Sequence, residues 1–305
     1  MRVTVAGAPV SFGVFELTPE GAETLSADEI GEILQETGFR GIDLGPAGLL
    51  GRGDELRARL ARFDLSLAGG WIQLPFSDAD AFDQSIPLLR DALAAFSEAA
   101  ELGPERLPLP TLADDGSALR AANPGRGAVV DPLSTFSAAQ LYANVARAAR
   151  IVRDAGFEPT FHHHAGTFVE SPEEVDAFLA STDVDLTLDT GHLAIAGGDP
   201  VAAVRRWGPR INHLHLKDVD RSALRSILSG GGGMREVWSG GAFVAFGRGD
   251  VDLAGVMDAM DAVGFDGWIV VEQDVLNPPD VALRDFAAAR ADDQRINRAA
   301  LRPWA

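Results

Sequence analysis

The chain contains no cysteine, which removes disulfides, thiolate metal sites and cysteine nucleophiles together and suits a reducing, cytoplasmic setting. Basic charge is also scarce: 26 Lys and Arg against 45 Asp and Glu leave a formal net charge of −19. Nucleic-acid binders present basic patches that release counterions from the phosphate backbone, and a surface this acidic repels that backbone. Arg52, Arg57, Arg59 and Arg62 fall at helical spacing among acidic and apolar residues, so they read as a solvated helix face and not as a binding patch. No apolar run approaches the roughly 20 residues that span a bilayer. Met1-Arg2-Val3-Thr4-Val5-Ala6 alternates into a strand instead of opening a targeting signal. Glycine-rich phosphate loops are missing too, because Gly230 to Gly233 and Phe246-Gly-Arg-Gly249 lack both the Gly-Lys-Ser/Thr ending and the GxGxxG context.

What is present is a long alternation of short apolar segments and amphipathic ones. In 305 residues, 46% of them hydrophobic, there is material for a large core. Strands are expected over residues 3–10, 41–45, 65–74, 106–112, 158–164, 184–190, 211–218 and 267–273. Helices are expected between them, the first opened by the capping box Ser26-Ala-Asp-Glu29 and stopped near Gly38. Eight such units with no composition break predict one closed (β/α)8 TIM barrel over residues 1–305 and fit a doubly wound open sheet less well. Two stretches break the rhythm, residues 113–132 and 229–249. They read as long loops over the C-terminal face, the second as a mobile flap.

All six histidines lie between residues 160 and 218, in Phe161-His-His-His164, Leu188-Asp-Thr-Gly-His192 and His213-Leu-His-Leu-Lys-Asp218. Histidine is a common metal ligand and works as an acid or base near neutral pH, so its confinement beside acidic residues at three strand ends points to a site. In a TIM barrel the late-strand residues face one pocket. Here those are His162, His164, Asp189, His215 and Glu272, a nitrogen and oxygen set suited to Mn²⁺ or Co²⁺ first, and to Zn²⁺, Fe²⁺ or Mg²⁺. Side chains alternate along a strand, so His162 and His164 share a face, which makes His164 a candidate for metal or substrate, while His163 points away. His213 and His215 also share a face; the later one is expected to be the ligand.

At these residues the chain resembles the xylose-isomerase-like barrel superfamily, which holds sugar epimerases, inosose dehydratases and endonuclease IV. The resemblance rests on Leu188-Asp-Thr-Gly-His192, His215-Leu-Lys-Asp218, Phe246-Gly-Arg-Gly249 before Val251-Asp252, and Glu272. Ala8-Pro-Val-Ser-Phe-Gly13, Phe161-His-His-His-Ala-Gly-Thr167 and His192-Leu-Ala-Ile-Ala-Gly-Gly-Asp-Pro200 are similar to the inosose dehydratases in particular. The superfamily's metal set of Glu, Asp, His and Glu implies Asp189, His215 and Glu272 as ligands, with His162 in place of the first Glu. That departure removes one of the two carboxylates an epimerase uses on opposite faces of its substrate. Endonuclease IV needs further histidines earlier in the chain, and none precedes His162.

The resemblance therefore implies a metal-dependent lyase that dehydrates a keto-polyol such as 2-keto-myo-inositol by α-proton abstraction and loss of a β-hydroxyl. Glu272, His192 and Lys217 are the candidates for proton transfer, and Trp71 and Arg248 for substrate binding. The competing readings are a divalent-metal ketose isomerase or epimerase and a non-catalytic sugar-binding barrel. The expected partner is a small polyol or sugar, with neither nucleic acid nor membrane, and homo-oligomerisation is compatible with all three.

Overall fold

Val3 and Val5 alternate with Thr4 in the first strand, and that short segment begins a closed wall. In the computed structural model, which describes residues 1–16, 18 and 22–305, eight parallel strands pair in chain order and the eighth returns to the first. They are β1 (Arg2–Gly7), β2 (Gly41–Asp43), β3 (Ser66–Leu74), β4 (Leu109–Asp114), β5 (Thr160–His162), β6 (Asp185–Asp189), β7 (Ile211–Leu216) and β8 (Asp266–Val271). Each is followed by a helix on the outside: α1 (Ala27–Thr37), α2 (Gly53–Arg62), α3 (Ala79–Ala100), α4 (Thr135–Asp154), α5 (Pro172–Ser181), α6 (Pro200–Trp207), α7 (Leu253–Ala262) and α8 (Leu283–Ala300). This is the (β/α)8 barrel that the alternation predicts, and the closing β1–β8 ladder, Arg2 opposite Asp266 through Gly7 opposite Val271, rules out an open sheet. Among the described residues no helix is long and apolar enough to cross a membrane.

Local chemistry sets the element ends. Ser26 and Glu29 form the capping box, each side chain accepting the other residue's backbone N–H, and Gly38 stops α1 with φ +85°, where a side chain would be strained. β1 ends at Gly7, short of Val10, because Pro9 opens a 3-10 turn. β5 ends at His162 because the His164 N–H turns back to the Val169 carbonyl at 3.1 Å. Inside the barrel Trp268 fills the lower layer against Ala6, Ala8, Ala68 and Val270. A Cβ on Gly41 would lie 2.7 Å from the Trp268 ring, so glycine is what lets β2 close beside it.

The two irregular stretches are more ordered than the sequence suggests. In place of a flap, residues 229–249 carry a helix (Met234–Ser239) and a strand pair in which Phe243–Val244 runs antiparallel to Asp218–Val219. The Asp218 carboxylate fastens the glycine loop that follows, accepting N–H groups from Gly247, Gly249 and Val251 at 2.9, 3.0 and 3.1 Å. Residues 113–132 hold two helical turns, Ala118–Ala121 and Gly127–Val130. Arg120 pins them: fully buried, it pairs with Glu174 at 2.9 Å and donates to the Asp131 and Thr167 carbonyls at 2.9 and 2.7 Å. Replacing it with Met leaves those acceptors unpaired, and we expect a loss of about 3 kcal/mol in chemical unfolding. Arg120→Lys recovers little, since an ammonium cannot reach three acceptors in the guanidinium's fixed fork.

Candidate functional site

The ends of β2 to β8 open into one cavity of about 340 Å³, with Asp43, Gln73, Asp114, His162, His215 and Glu272 among its lining residues. Asp189, the fully buried last residue of β6, is positioned by a division of labour. Its Oδ1 caps the short helix Thr190–Ile195, accepting the Gly191 and His192 N–H groups at 2.9 Å each. Its Oδ2 is thereby turned to the other side groups: His162 Nε2 at 3.3 Å, His215 Nδ1 at 3.8 Å and Lys217 Nζ at 2.6 Å. Glu272 follows β8, its N–H bonded to the Leu216 carbonyl at 3.0 Å, and its Oε2 meets His215 Nδ1 at 2.8 Å and Lys217. One ligand atom from each of His162, Asp189, His215 and Glu272 lies within 4.8 Å of the others, and all four residues are buried.

These atoms suit a divalent cation. His162 Nδ1 and both His215 nitrogens are buried without a properly directed hydrogen bond among the described residues, and a buried polar atom left unpaired is costly. Burial lowers the His162 pKa, keeping its ring a neutral donor. For His215 burial also lowers it, but the charge of Glu272, whose Oε2 lies 2.8 Å from Nδ1, outweighs burial and leaves the net shift upward. An entering cation must displace that proton. The apparent affinity for Co²⁺ should therefore weaken as pH falls through the raised His215 value, by roughly tenfold per pH unit for one displaced proton, measurable by calorimetric titration between pH 6 and 8. Burial raises the Asp189 and Glu272 pKa values, but neighbouring cations more than offset it, Lys217 first for Asp189 and His215 first for Glu272, and both fall below the usual carboxylate range. Their contribution to stability is present above the unfolded carboxylate pKa of about 4 and is lost as pH drops further.

Lys217 is the only lysine in the chain, every other basic side chain being arginine. Thr190 fixes its backbone, donating from Oγ1 to the Lys217 carbonyl and accepting its N–H, both at 2.8 Å. A Cβ on Gly191 would sit 2.6 Å from Lys217 Cβ, so glycine there makes room for the stem. Burial would depress the ammonium, but Asp189, Asp274 and Glu272 hold its pKa well above the ordinary value. In this arrangement it is held as the charged ammonium.

The other sequence candidates divide. His192 lines the cavity, fully buried, and Trp71 stands edge-on to His162 and His164 at 5.2 Å from each ring. His164 also lines it, beside His192 with ring centroids 3.6 Å apart. His163 takes a supporting place, its Nε2 accepting the Asp189 N–H at 3.1 Å, and His213 lies buried below His215. Arg248 stands apart from these: its largely exposed guanidinium faces Asp293 on α8 at 3.3 Å and it is not among the cavity-lining residues, the glycine loop that carries it being fastened by Asp218. The sequence reading missed Asp43, Asp114 and Asp274. Burial pushes each up to about 7, with the Glu272 charge adding to the rise for Asp43. A signal existed for two of them: Asp43 is the charged residue in an otherwise apolar strand, and Asp274 lies two residues beyond Glu272.

Comparison with known proteins adds three findings. A family profile described as xylose isomerase-like TIM barrel matches residues 31–291. An inosose dehydratase of Geobacillus kaustophilus is 28% identical over 282 residues, covering 87% of this chain and 85% of that protein. Among solved structures, the probable 3-DHS dehydratase AsbF from Bacillus anthracis superposes with a TM-score of 0.71 at 14% identity, covering 98% of each chain, and the IOLI protein with a bound zinc atom with 0.64 at 12% identity, covering 97% and 98%.

Proposed function

The chain belongs to the xylose isomerase-like TIM barrel family, and from that membership we propose that it is a divalent-metal lyase dehydrating a keto-polyol such as 2-keto-myo-inositol. The observation that carries the reading is the lysine ammonium lodged against the oxygens of Asp189 and Glu272, an acid beside a base on the rim of a four-ligand set. A Mn²⁺ or Co²⁺ ion held by His162, Asp189, His215 and Glu272 would supply Lewis acidity to the substrate carbonyl and a neighbouring hydroxyl.

The remaining work falls to side chains. Glu272 takes the proton α to the carbonyl as the C–H bond breaks and the C=C bond forms. Lys217 gives its proton to the β-hydroxyl, which leaves as water. Glu272 and Lys217 are in contact, so the proton gained by the first returns to the second and the site is reset. Trp71 offers a ring face to the apolar side of the polyol, and His192 and His164, both neutral because burial lowers them, form the adjacent wall. The competing isomerase or epimerase reading draws on Asp43 and Asp114, buried carboxyls that can hold or release a proton near neutrality.

The test is an assay on 2-keto-myo-inositol with Mn²⁺ or Co²⁺ present. Dehydration gives a dione that absorbs in the ultraviolet. A product of unchanged composition would favour the isomerase or epimerase, and no turnover on any inosose or ketose would leave a binding barrel.

A further inference from the structure

His192 has no exposed surface, yet neither of its ring nitrogens makes a directed hydrogen bond among the described residues. Its Nε2 is 3.2 Å from Asp274 Oδ2, close enough to bond but out of line for it. The neighbouring ring, His164, donates its Nδ1–H to the Ala165 carbonyl at 2.7 Å, which fixes the tautomer and leaves a lone pair on Nε2. One ligand atom from each of His164, His192 and Asp274 lies within 4.8 Å of the others. Two imidazoles and a carboxylate that converge without bonding one another share a missing partner. A plain His192–Asp274 ion pair would instead align donor and acceptor.

We propose that His164, His192 and Asp274 form a second divalent-cation site, separate from the His162, Asp189, His215 and Glu272 set. Two nitrogens and one carboxylate oxygen select a borderline ion, Zn²⁺, Co²⁺ or Fe²⁺, and three protein ligands leave coordination positions open for an oxygen of a molecule in the cavity. The two sets have no carboxylate in common. Lys217 stands between them, bonded to Asp189 Oδ2 at 2.6 Å and 3.3 Å from Asp274 Oδ1, so its charge offsets both carboxylates while Asp274 Oδ1 keeps no hydrogen-bond partner. The inference depends on this trio alone and not on the reaction proposed above.

Calorimetric titration of the metal-stripped full chain with Co²⁺ tests it, with elemental analysis of the loaded protein as a second readout. His164→Gln and Asp274→Asn should each lower the bound Co²⁺ by one equivalent per chain, and Glu272→Gln should leave that equivalent in place. His164 is only half-buried, so if Asp274→Asn fails to fold the His164 variant decides. The inference is overturned if the folded variants bind as much Co²⁺ as the wild type, or if the wild type binds a single equivalent that Glu272→Gln removes. A single equivalent lost in His164→Gln and kept in Glu272→Gln would support it while counting against the four-residue set.

Discussion

Glu272→Gln is expected to lower turnover of 2-keto-myo-inositol by roughly a thousandfold, within the span for removing a positioned general base, and to weaken Mn²⁺ binding in the same protein. The amide keeps the volume and one oxygen, so β8 and its bond to the Leu216 carbonyl are undisturbed. What disappears is the charge that lifts His215 and attracts Lys217, together with the proposed acceptor of the α-proton. Glu272 is a cleaner position than Asp189, whose Oδ1 also caps the helix Thr190–Ile195; changes at Asp189 mix loss of a ligand with loss of a cap. The initial rate of dione absorbance at saturating Mn²⁺ measures the first effect and elemental analysis the second. Wild-type rate with full metal content would remove Glu272 from the site.

The barrel was legible because its signals are periodic and local. Short apolar segments alternate with capped amphipathic ones, and the Ser26–Glu29 capping box and Gly38 stop stand where the spacing puts them. The four-residue set was legible because strand parity projects late-strand residues to one end. What escaped depends on tertiary partners. The glycines of Phe246-Gly-Arg-Gly249 suggest a loop free to reach a substrate, but only the fold reveals the Asp218 carboxylate that binds Gly247, Gly249 and Val251 and leaves Arg248 outside. The order of residues 113–132 hangs likewise on Arg120 finding Glu174, 54 positions away. Asp274 escaped because it stands in no regular element and its meaning comes from His192 and Lys217, which follow other strands, β6 and β7.

Lys217→Met should separate folding from metal binding in a way no other single change here can. Without metal, the ammonium is the cation that compensates Asp189, Glu272 and Asp274, so its loss leaves three buried carboxyls facing one another and should cost about 3 to 5 kcal/mol of stability. With metal, the sign reverses. Lys217 touches Asp189 Oδ2 and Glu272 Oε2, the same oxygens that lie closest to the His162 and His215 nitrogens. An incoming ion competes with the ammonium for them and is repelled by its charge. Removing that charge should tighten Mn²⁺ or Co²⁺ binding by about tenfold or more, about 1.4 kcal/mol, and enlarge the rise in unfolding temperature that saturating metal produces. Turnover should still collapse, because the leaving hydroxyl loses its proton donor. Thermal unfolding with and without Co²⁺, read beside the dione assay, checks all three effects. Since Lys217 is the chain's single lysine, wild-type protein carrying ¹⁵N-lysine gives one Nζ resonance, which should move on adding Zn²⁺ as the ammonium yields the shared oxygens. An unmoved resonance, with equal metal-induced stabilisation in wild type and variant, would mean that ion and ammonium do not meet at these carboxylates.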